Sequence, residues 1–181
     1  MQLLSVSLCL FLFAYPVFGQ TPRSIKTPVG STCYIRNVLA HPNDYLEFTP
    51  GTQSKAVTSL RKGGVKEIDE AGQWRIDKWI VGGKTFFEFN NRLDDKYISH
   101  GVNYATGQVS ILATRASYQN TRDMRNLWEL NPPRINSIVT IRHARTGGYM
   151  YAPKGDLKSR LVQLGSRPNS GTEYKWFITC K

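Results

Sequence analysis

The sequence predicts an all-β fold built from three consecutive four-strand units, and three observations lead to this prediction. A tyrosine followed by an apolar residue recurs every 52 residues, at Tyr45-Leu46, Tyr97-Ile98 and Tyr149-Met150. A Trp-x-apolar motif closes each unit, beginning at Trp74, Trp128 and Trp176. Clusters of Gly, Pro, Asn and Asp separate the apolar segments, and such clusters favour turns between strands.

The first strand of each unit carries an apolar residue ten positions before the repeated tyrosine. These residues are Ile35, Phe87 and Val139. They lie in the segments CYIRN, TFFEF and SIVTI, whose β-forming residues and partial alternation are typical of a strand with one buried face. The Tyr-apolar pair itself belongs to the second strand.

The third strand of each unit is predicted at AVTSL (56–60), QVSIL (108–112) and LVQLG (161–165). The fourth strand begins at the repeated tryptophan. Successive tryptophans are 54 and 48 residues apart, so the loops vary in length while the order of elements is kept. Two segments, KEIDEAGQWRI and TRDMRNLWEL, are long enough for at most a turn or two of helix. We therefore expect about twelve strands, in units covering approximately 30–78, 79–130 and 131–181.

The first nineteen residues are typical of a secretory signal peptide. They carry no charge, contain a long apolar run and end with a break at Pro16 and a small residue at Gly19. A membrane anchor is the alternative, but the run is short and has no flanking Lys or Arg. No later segment is apolar over a bilayer-spanning length. The expectation is a secreted, extracellular protein without a transmembrane segment, with one domain at 20–181.

Cysteine usage predicts one disulfide. Cys9 lies in the signal segment, which leaves Cys33 and Cys180 near the two ends of the remaining chain. In an oxidising compartment these two residues should form a bridge between the terminal strands, and two free buried thiols are the alternative. The cysteines and the three histidines show no metal-ligand spacing, so neither a metal nor a cofactor is expected.

The charge of the chain is concentrated in its last third. The formal net charge is +11, and residues 131–181 hold nine basic and two acidic residues, a net charge of +7. The candidate ligand-binding cations are Arg142, Arg145, Lys154, Lys158, Arg160, Arg167 and Lys175. A basic surface on a secreted protein attracts sulfated glycans, anionic membranes or acidic partners. The alternative is charge that serves only solubility.

Three four-strand units that each end in Trp-x-apolar resemble the β-trefoil superfamily, over nearly the whole of residues 20–181. The resemblance implies a six-stranded barrel capped by three hairpins, with pseudo-threefold symmetry. The tryptophans and the Tyr-apolar pairs would then form core layers. A Cys33–Cys180 bridge would join the first and last strands, which are neighbours in a trefoil.

The third unit resembles the ricin-B type of trefoil lectin in its Ile141-Arg142 strand, its Val-Gln-Leu at 162–164 and its Trp-x-apolar end. Lectins of that type bind sugar with an Asp after the first hairpin turn and an Asn-Gln pair before the tryptophan. No unit of this chain has the pair. The comparison therefore disfavours neutral galactose recognition at that place, and it leaves Glu47 or Tyr151 as residues of a divergent site.

Heparin-binding trefoil growth factors place Lys and Arg on adjacent C-terminal loops, and the cations named above lie in the matching third of this chain. Arginine suits sulfate because its planar guanidinium forms two parallel hydrogen bonds. The primary expectation is thus a monomer that binds a sulfated or anionic, heparin-like glycan. The same charges would attract DNA or RNA, but secretion argues against a nucleic-acid partner.

The alternative expectation is a secreted protein effector that acts on a receptor, integrin or protease. Trefoil proteins include cytokines and protease inhibitors, and an adhesion- or haemostasis-blocking protein of venom or saliva would also fit. Lys154-Gly155-Asp156 is a tripeptide that some integrin ligands use. Catalysis has no support, because no nucleophile, metalloprotease or phosphate-loop motif occurs and the carboxylates are dispersed. We expect a binding protein rather than an enzyme.

Overall fold

The computed structural model describes residues 23–26, 32–38, 44–48, 56–60, 68–102, 109–115, 117–118, 123–154, 159–166 and 171–181. The predicted signal peptide lies outside these residues. Fourteen strands and three single-turn 3₁₀ helices are defined among them. Within the same ranges, no helix combines the length and the apolarity that crossing a bilayer requires.

The strands follow the order expected from the three units. Those of the first unit, with a preceding strand, are β1 (Arg23–Lys26), β2 (Cys33–Asn37), β3 (Asp44–Phe48), β4 (Ala56–Leu60) and β5 (Trp74–Val81). The second unit has β6 (Lys84–Asn91), β7 (Lys96–Val102), β8 (Val109–Thr114) and β9 (Trp128–Asn131). The third has β10 (Ser137–His143), β11 (Tyr149–Tyr151), β12 (Ser159–Leu161), β13 (Gln163–Gly165) and β14 (Trp176–Cys180).

Six of these strands close into a barrel. Antiparallel pairing runs from β2 to β5, β6, β9, β10, β14 and back to β2. The six are the first and fourth strands of the three units, and in the closed ring each has a neighbour on both sides. The hairpins β3–β4, β7–β8 and β11–β13 cap one end, joined by β4–β12 and β8–β13 pairing. The fold is a β-trefoil, and the predicted all-β class is confirmed.

The strand count exceeds the expected twelve for two reasons. β1 precedes the first predicted unit and pairs with β5 outside the ring. The predicted third strand of the last unit, 161–165, is divided in two, because β12 pairs with β4 while β13 pairs with β11 and β8. Val162 stands between the two short strands and is fully buried. The backbone changes its strand-pairing partners at this residue. The prediction of a single strand over 161–165 was therefore wrong.

The three repeated tryptophans are fully buried and tie the barrel to its cap. In each unit the indole Nε1 donates a hydrogen bond to the backbone oxygen of the apolar residue of the Tyr-apolar pair. The acceptors for Trp74, Trp128 and Trp176 are Leu46, Ile98 and Met150, at 3.0, 3.2 and 2.9 Å. Since a buried indole N–H is costly without a partner, the repeat keeps both donor and acceptor. The predicted core role of the tryptophans is confirmed.

The tyrosines of the same pairs lie elsewhere. Their apolar neighbours point into the main core, and successive side chains of a strand point to opposite faces. Tyr45 therefore packs with Tyr34 and Ile68 in a separate small cluster, whereas Tyr97 and Tyr149 are only partly buried. The expectation that whole Tyr-apolar pairs form core layers was wrong for Tyr97 and Tyr149.

The predicted disulfide joins Cys33 and Cys180, with an S–S distance of 1.99 Å. The two residues are directly opposite each other on β2 and β14, with Cα atoms 4.0 Å apart. Beside the bridge, the backbones of Thr32 and Lys181 exchange two hydrogen bonds of 3.1 and 3.0 Å. The bridge therefore fastens the first barrel strand to the last, as predicted.

A second apolar cluster lies outside the barrel, on β5 and β6. It contains Trp79, Phe86, Tyr118 and Leu127 and surrounds the buried carboxyl group of Glu88. Burial raises the pKa of Glu88, with a further contribution from Asp77 opposite it on β5. Hydrogen bonds to the Glu88 carboxylate from Trp79 Nε1 and from the Tyr118 backbone N–H, at 3.2 and 2.6 Å, lower this pKa in part. Among the described residues of the other units, no equivalent cluster occurs.

Candidate functional site

Each unit is bound to the one before it by a buried side chain at the end of its first strand. These side chains are Asn37, Asn91 and His143. Each donates to the carbonyl of the middle residue of a single-turn 3₁₀ helix, and the acceptors are, in the same order, Glu173, Ala71 and Arg125. The three N···O distances are 2.8, 2.7 and 3.0 Å. We call these contacts the seams; they close the ring of units, since Asn37 of the first unit binds the third.

His143 replaces asparagine at the seam between the second and third units. The carbonyl of Arg125 only accepts, so Nε2 carries the hydrogen and Nδ1 accepts from Thr146, whose backbone nitrogen is 3.2 Å and hydroxyl oxygen 2.9 Å away. The ring is stacked on His100, with centroids 5.0 Å apart. The pKa of His143 is lowered to about 4, mainly by burial. His100 and Arg145 act in the same direction, whereas the hydrogen bond to the Arg125 carbonyl and the carboxylate of Asp123 act against it. The imidazole is therefore neutral at physiological pH.

Arg142, the first of the predicted cations, is held in place by its neighbours. Its Nη1 donates to Glu129 Oε2 at 2.8 Å and its Nε to the Gly147 carbonyl at 3.3 Å. Its guanidinium carbon lies 6.0 Å from the centroid of the Tyr149 ring. The hydrogen bond to Glu129 raises the pKa of Arg142 further. Glu129, Arg142 and Tyr149 are directly opposite one another on β9, β10 and β11 and line a groove of about 350 Å³.

Arg145 lies in the turn after β10 and exposes 62% of its side chain. Its Nη1 is 3.5 Å from Asp123 Oδ1, at the start of the 3₁₀ helix Met124–Asn126. Asp123 also forms an ion pair with Arg125. Because exposed pairs of this kind contribute little energy, Arg145 can turn toward an anionic ligand at small cost.

Lys154 and Lys175 are both exposed and follow two stacked tyrosines along the chain. The rings of Tyr151 and Tyr174 have centroids 4.9 Å apart and are inclined by 28°. The Tyr151 hydroxyl donates to Gln163 Oε1 at 2.8 Å. A 3.1 Å hydrogen bond from Ala152 N to Glu173 O holds the two segments side by side. The structure thus brings together the two chain segments that carry these lysines, at an aromatic stack.

The remaining predicted residues are only partly described. The backbone of Arg160 lies in β12, opposite Thr58 of β4. Lys158, Arg167 and the Gly155-Asp156 part of the integrin-type tripeptide lie outside the described residues. The two alternative residues for a divergent sugar site, Glu47 on β3 and Tyr151 on β11, are both half-buried. Among the residues that are described, no group of three or more His, Cys, Asp and Glu side chains could hold a metal ion.

The sequence did not point to the seams or to the groove. Two of the seam residues are asparagine and the third is histidine, so they do not form a motif that is common to all three units. Glu129, Asn131 and Thr140 of the groove come together through strand register. Glu129 does immediately follow the repeated Trp128, and this position is the one signal that could have indicated an outward-facing residue beside a core one.

The closed barrel, the three capping hairpins and the single-turn helices define a protein of the β-trefoil class. No protein-family model and no curated protein sequence matches the chain. Solved structures of other proteins, in contrast, are similar to it. The designed threefold-symmetric protein ThreeFoil is similar with a TM-score of 0.59 at 13% identity, over 82% of this chain and 97% of ThreeFoil.

Two natural proteins are similar to the same extent. A Culex salivary protein of the Cysteine and Tryptophan-Rich family has a TM-score of 0.58 at 14% identity, over 82% of this chain and 92% of its own. A Polyporus squamosus lectin, solved with the epitope Neu5Aca2-6Galb1-4GlcNAc, has a TM-score of 0.61 at 17% identity, over 81% of this chain and 48% of the lectin. At such identities the likeness establishes the fold alone, because trefoils carry unrelated functions.

Proposed function

We propose that this is a secreted protein that binds an anionic or sulfated glycan through the basic surface of its third unit, without catalysing a reaction. The observation that carries the proposal is that exposed Lys154 and Lys175 lie on two segments that meet at the Tyr151–Tyr174 stack. Arg145 adds a third exposed cation on the turn after β10.

The chemistry of this surface suits a sulfated chain better than a small neutral ligand. Lysine and arginine side chains in solvent attract sulfate over several ångströms, because the field of the +7 third unit adds to each local contact. The ring of Tyr151 is partly exposed and offers apolar surface on which the C–H groups of a sugar can pack, while Tyr174 is buried. The stack is also anchored, by the hydroxyl bond to Gln163, so little side-chain entropy is lost on binding.

Secretion is supported by the Cys33–Cys180 bridge, since such disulfides persist mainly in oxidising compartments. The similarity in fold to a salivary protein and to a lectin is in keeping with an extracellular binding role. A glycan-bearing surface or matrix is then the natural place for a chain of net charge +11.

A Lys154→Gln/Lys175→Gln variant should elute from immobilised heparin at a clearly lower salt concentration than the wild-type protein. The reason is that two exposed cations are lost from the proposed contact, and salt competes with the contacts that remain. The matched control is Lys84→Gln/Arg115→Gln, which removes two exposed cations of the second unit. If the control elutes as early as the test variant, retention follows net charge alone and the proposal is wrong.

A second candidate is an effector that blocks cell adhesion. Its support is the exposed Lys154 at the head of the Lys-Gly-Asp tripeptide and the similarity in fold to a salivary protein. Binding of this kind uses a shaped protein interface, so it should persist at salt concentrations that release the protein from heparin. Salt-resistant binding to a purified integrin, with weak heparin retention, would favour this candidate over the first.

A further inference from the structure

The outer wall of the barrel between the second and third units carries a row of polar cross-strand pairs. Glu129 is opposite Arg142 and Asn131 is opposite Thr140 on β9 and β10. Their neighbours Trp128, Leu130, Val139 and Ile141 are buried in the core, so strand alternation directs the four polar side chains outward. Tyr149 of β11 continues the row beyond Arg142.

These side chains line the groove of about 350 Å³ introduced above, together with Leu130. Its volume is at the small end of the range of ligand sites, about 300 to 1,000 Å³. The groove is rich in hydrogen-bonding groups, with a carboxylate, an amide, a hydroxyl and a guanidinium, and it has one aromatic ring. A ligand that fits this lining has many hydroxyl groups and one apolar face.

The groove offers no excess charge. The 2.8 Å contact between Arg142 and Glu129 pairs the cation with the carboxylate of the same wall. The guanidinium carries five N–H donors, and its bonds to Glu129 and to the Gly147 carbonyl use two of them. Further donors of the same group can therefore serve a hydroxyl ligand, while an anion gains little from a cation that is already paired.

The turn between β10 and β11 holds the side chain of Arg142 in place before a ligand binds. Gly147 has φ of +74°, a value that favours glycine, and a Cβ atom placed there would come within 2.9 Å of Arg142 Nη2. Glycine thus leaves room for the guanidinium close to the turn, where the Gly147 carbonyl and the Glu129 carboxylate both accept hydrogen bonds from it. Side chains held in this way lose little freedom when a ligand binds.

We propose that this groove binds one neutral sugar residue, with Glu129, Asn131, Thr140 and Arg142 bonding its hydroxyl groups and Tyr149 covering its apolar face. The site shares no residue with the basic surface at Tyr151–Tyr174 and does not depend on the proposed binding of sulfated glycans. A chain carrying both sulfated and unsulfated residues could engage both.

The test is saturation-transfer difference NMR on the full oxidised protein with methyl glycosides of neutral hexoses and N-acetylhexosamines. High salt is used, because it screens charge-driven binding but leaves neutral hydrogen bonding intact. At least one glycoside should receive saturation, and its affinity should fall by about tenfold or more in Asn131→Ala and in Tyr149→Ala. The Lys154→Gln/Lys175→Gln variant should bind it as the wild type does, which separates this site from the basic surface.

A matched pair of variants guards against a change of fold. Thr140→Val removes a groove hydroxyl at nearly constant volume, and Thr85→Val makes the same change on β6, at a residue that does not line the groove. Thr140→Val should weaken binding while Thr85→Val leaves it unchanged. Saturation of none of the glycosides, or equal saturation in wild type, Asn131→Ala and Thr140→Val, would overturn the proposal.

Discussion

Removal of the Cys33–Cys180 bridge should lower the free energy of unfolding by about 5 kcal/mol, as expected for a crosslink that closes a very long loop. The bridged residues are 147 positions apart in sequence. The unfolded chain therefore loses a large conformational entropy when it is crosslinked, whereas the native barrel already holds the two strands together. A domain of ordinary stability has about 5 to 15 kcal/mol in total, so this loss is severe.

The measurement is urea unfolding of the wild type and of Cys33→Ala/Cys180→Ala, with and without reductant. Alanine is chosen because Cys33 is fully buried and a serine hydroxyl there would lack a partner. The variant should keep the barrel at low temperature, since five residue pairs still join β2 to β14. Equal stability of variant and wild type under oxidising conditions would refute the stabilising role of the bridge.

Acidification from pH 7 to about 4 should cost the protein about 3 kcal/mol of stability through His143. Its pKa in the folded protein is about 4, compared with 6.5 for a free histidine. Between these values the unfolded chain binds a proton that the folded chain does not, so stability falls as pH falls through this window and is complete above pH 6.5. The proton would enter at Nδ1, where it would face the N–H of Thr146.

The groups around His143 act mostly in the same direction. The pKa of His100 is also lowered, by burial and by Arg145 and Arg125. For His143, the hydrogen bond to the Arg125 carbonyl and, less strongly, the carboxylate of Asp123 oppose the lowering only in part. Glu88, in the cluster outside the barrel, contributes with the opposite sign, because burial raises its pKa and favours the folded state at lower pH. The pH profile of the wild type is therefore a sum, and a variant is needed to isolate His143.

His143→Asn is that variant, since it installs the side chain that the other two seams use. The amide can still donate to the Arg125 carbonyl, but it does not titrate. The loss of stability between pH 7 and 4.5, measured by urea unfolding at each pH, should shrink by most of the His143 contribution. His100→Gln serves as the control and should give a smaller change, because His100 is half-buried. An unchanged pH profile in His143→Asn would contradict the assignment.

Particular residues show why the fold could be predicted from the chain. Trp74, Trp128 and Trp176 are recognisable in the sequence because each needs the same two things, a buried volume and an acceptor for its indole N–H. The apolar residue of the Tyr-apolar pair supplies that acceptor through its backbone. Because the same side chains meet this requirement in all three units, they recur at regular intervals in the sequence. Trp79 belongs to a local cluster and has no such recurrence.

The candidate sites could be predicted only in part. A count of Lys and Arg indicates a basic third unit, but it does not say which carboxylates these cations face. Arg142 meets Glu129 through the pairing of β9 with β10, 13 residues away in sequence. The segments that carry Lys154 and Lys175 meet because the chain after β11 lies against the 3₁₀ helix Thr172–Tyr174.

The sequence alone thus determined the β class, the threefold order of strands, the tryptophan core and the partners in the disulfide. These depend on residue type and periodicity, which are local properties of the chain. The tertiary structure decided the partner change at Val162, the outward placement of Tyr149, the histidine seam and the groove at Arg142. Each of these depends on which strands become neighbours and in what register, and contacts between distant segments acquire their geometry only when the barrel closes.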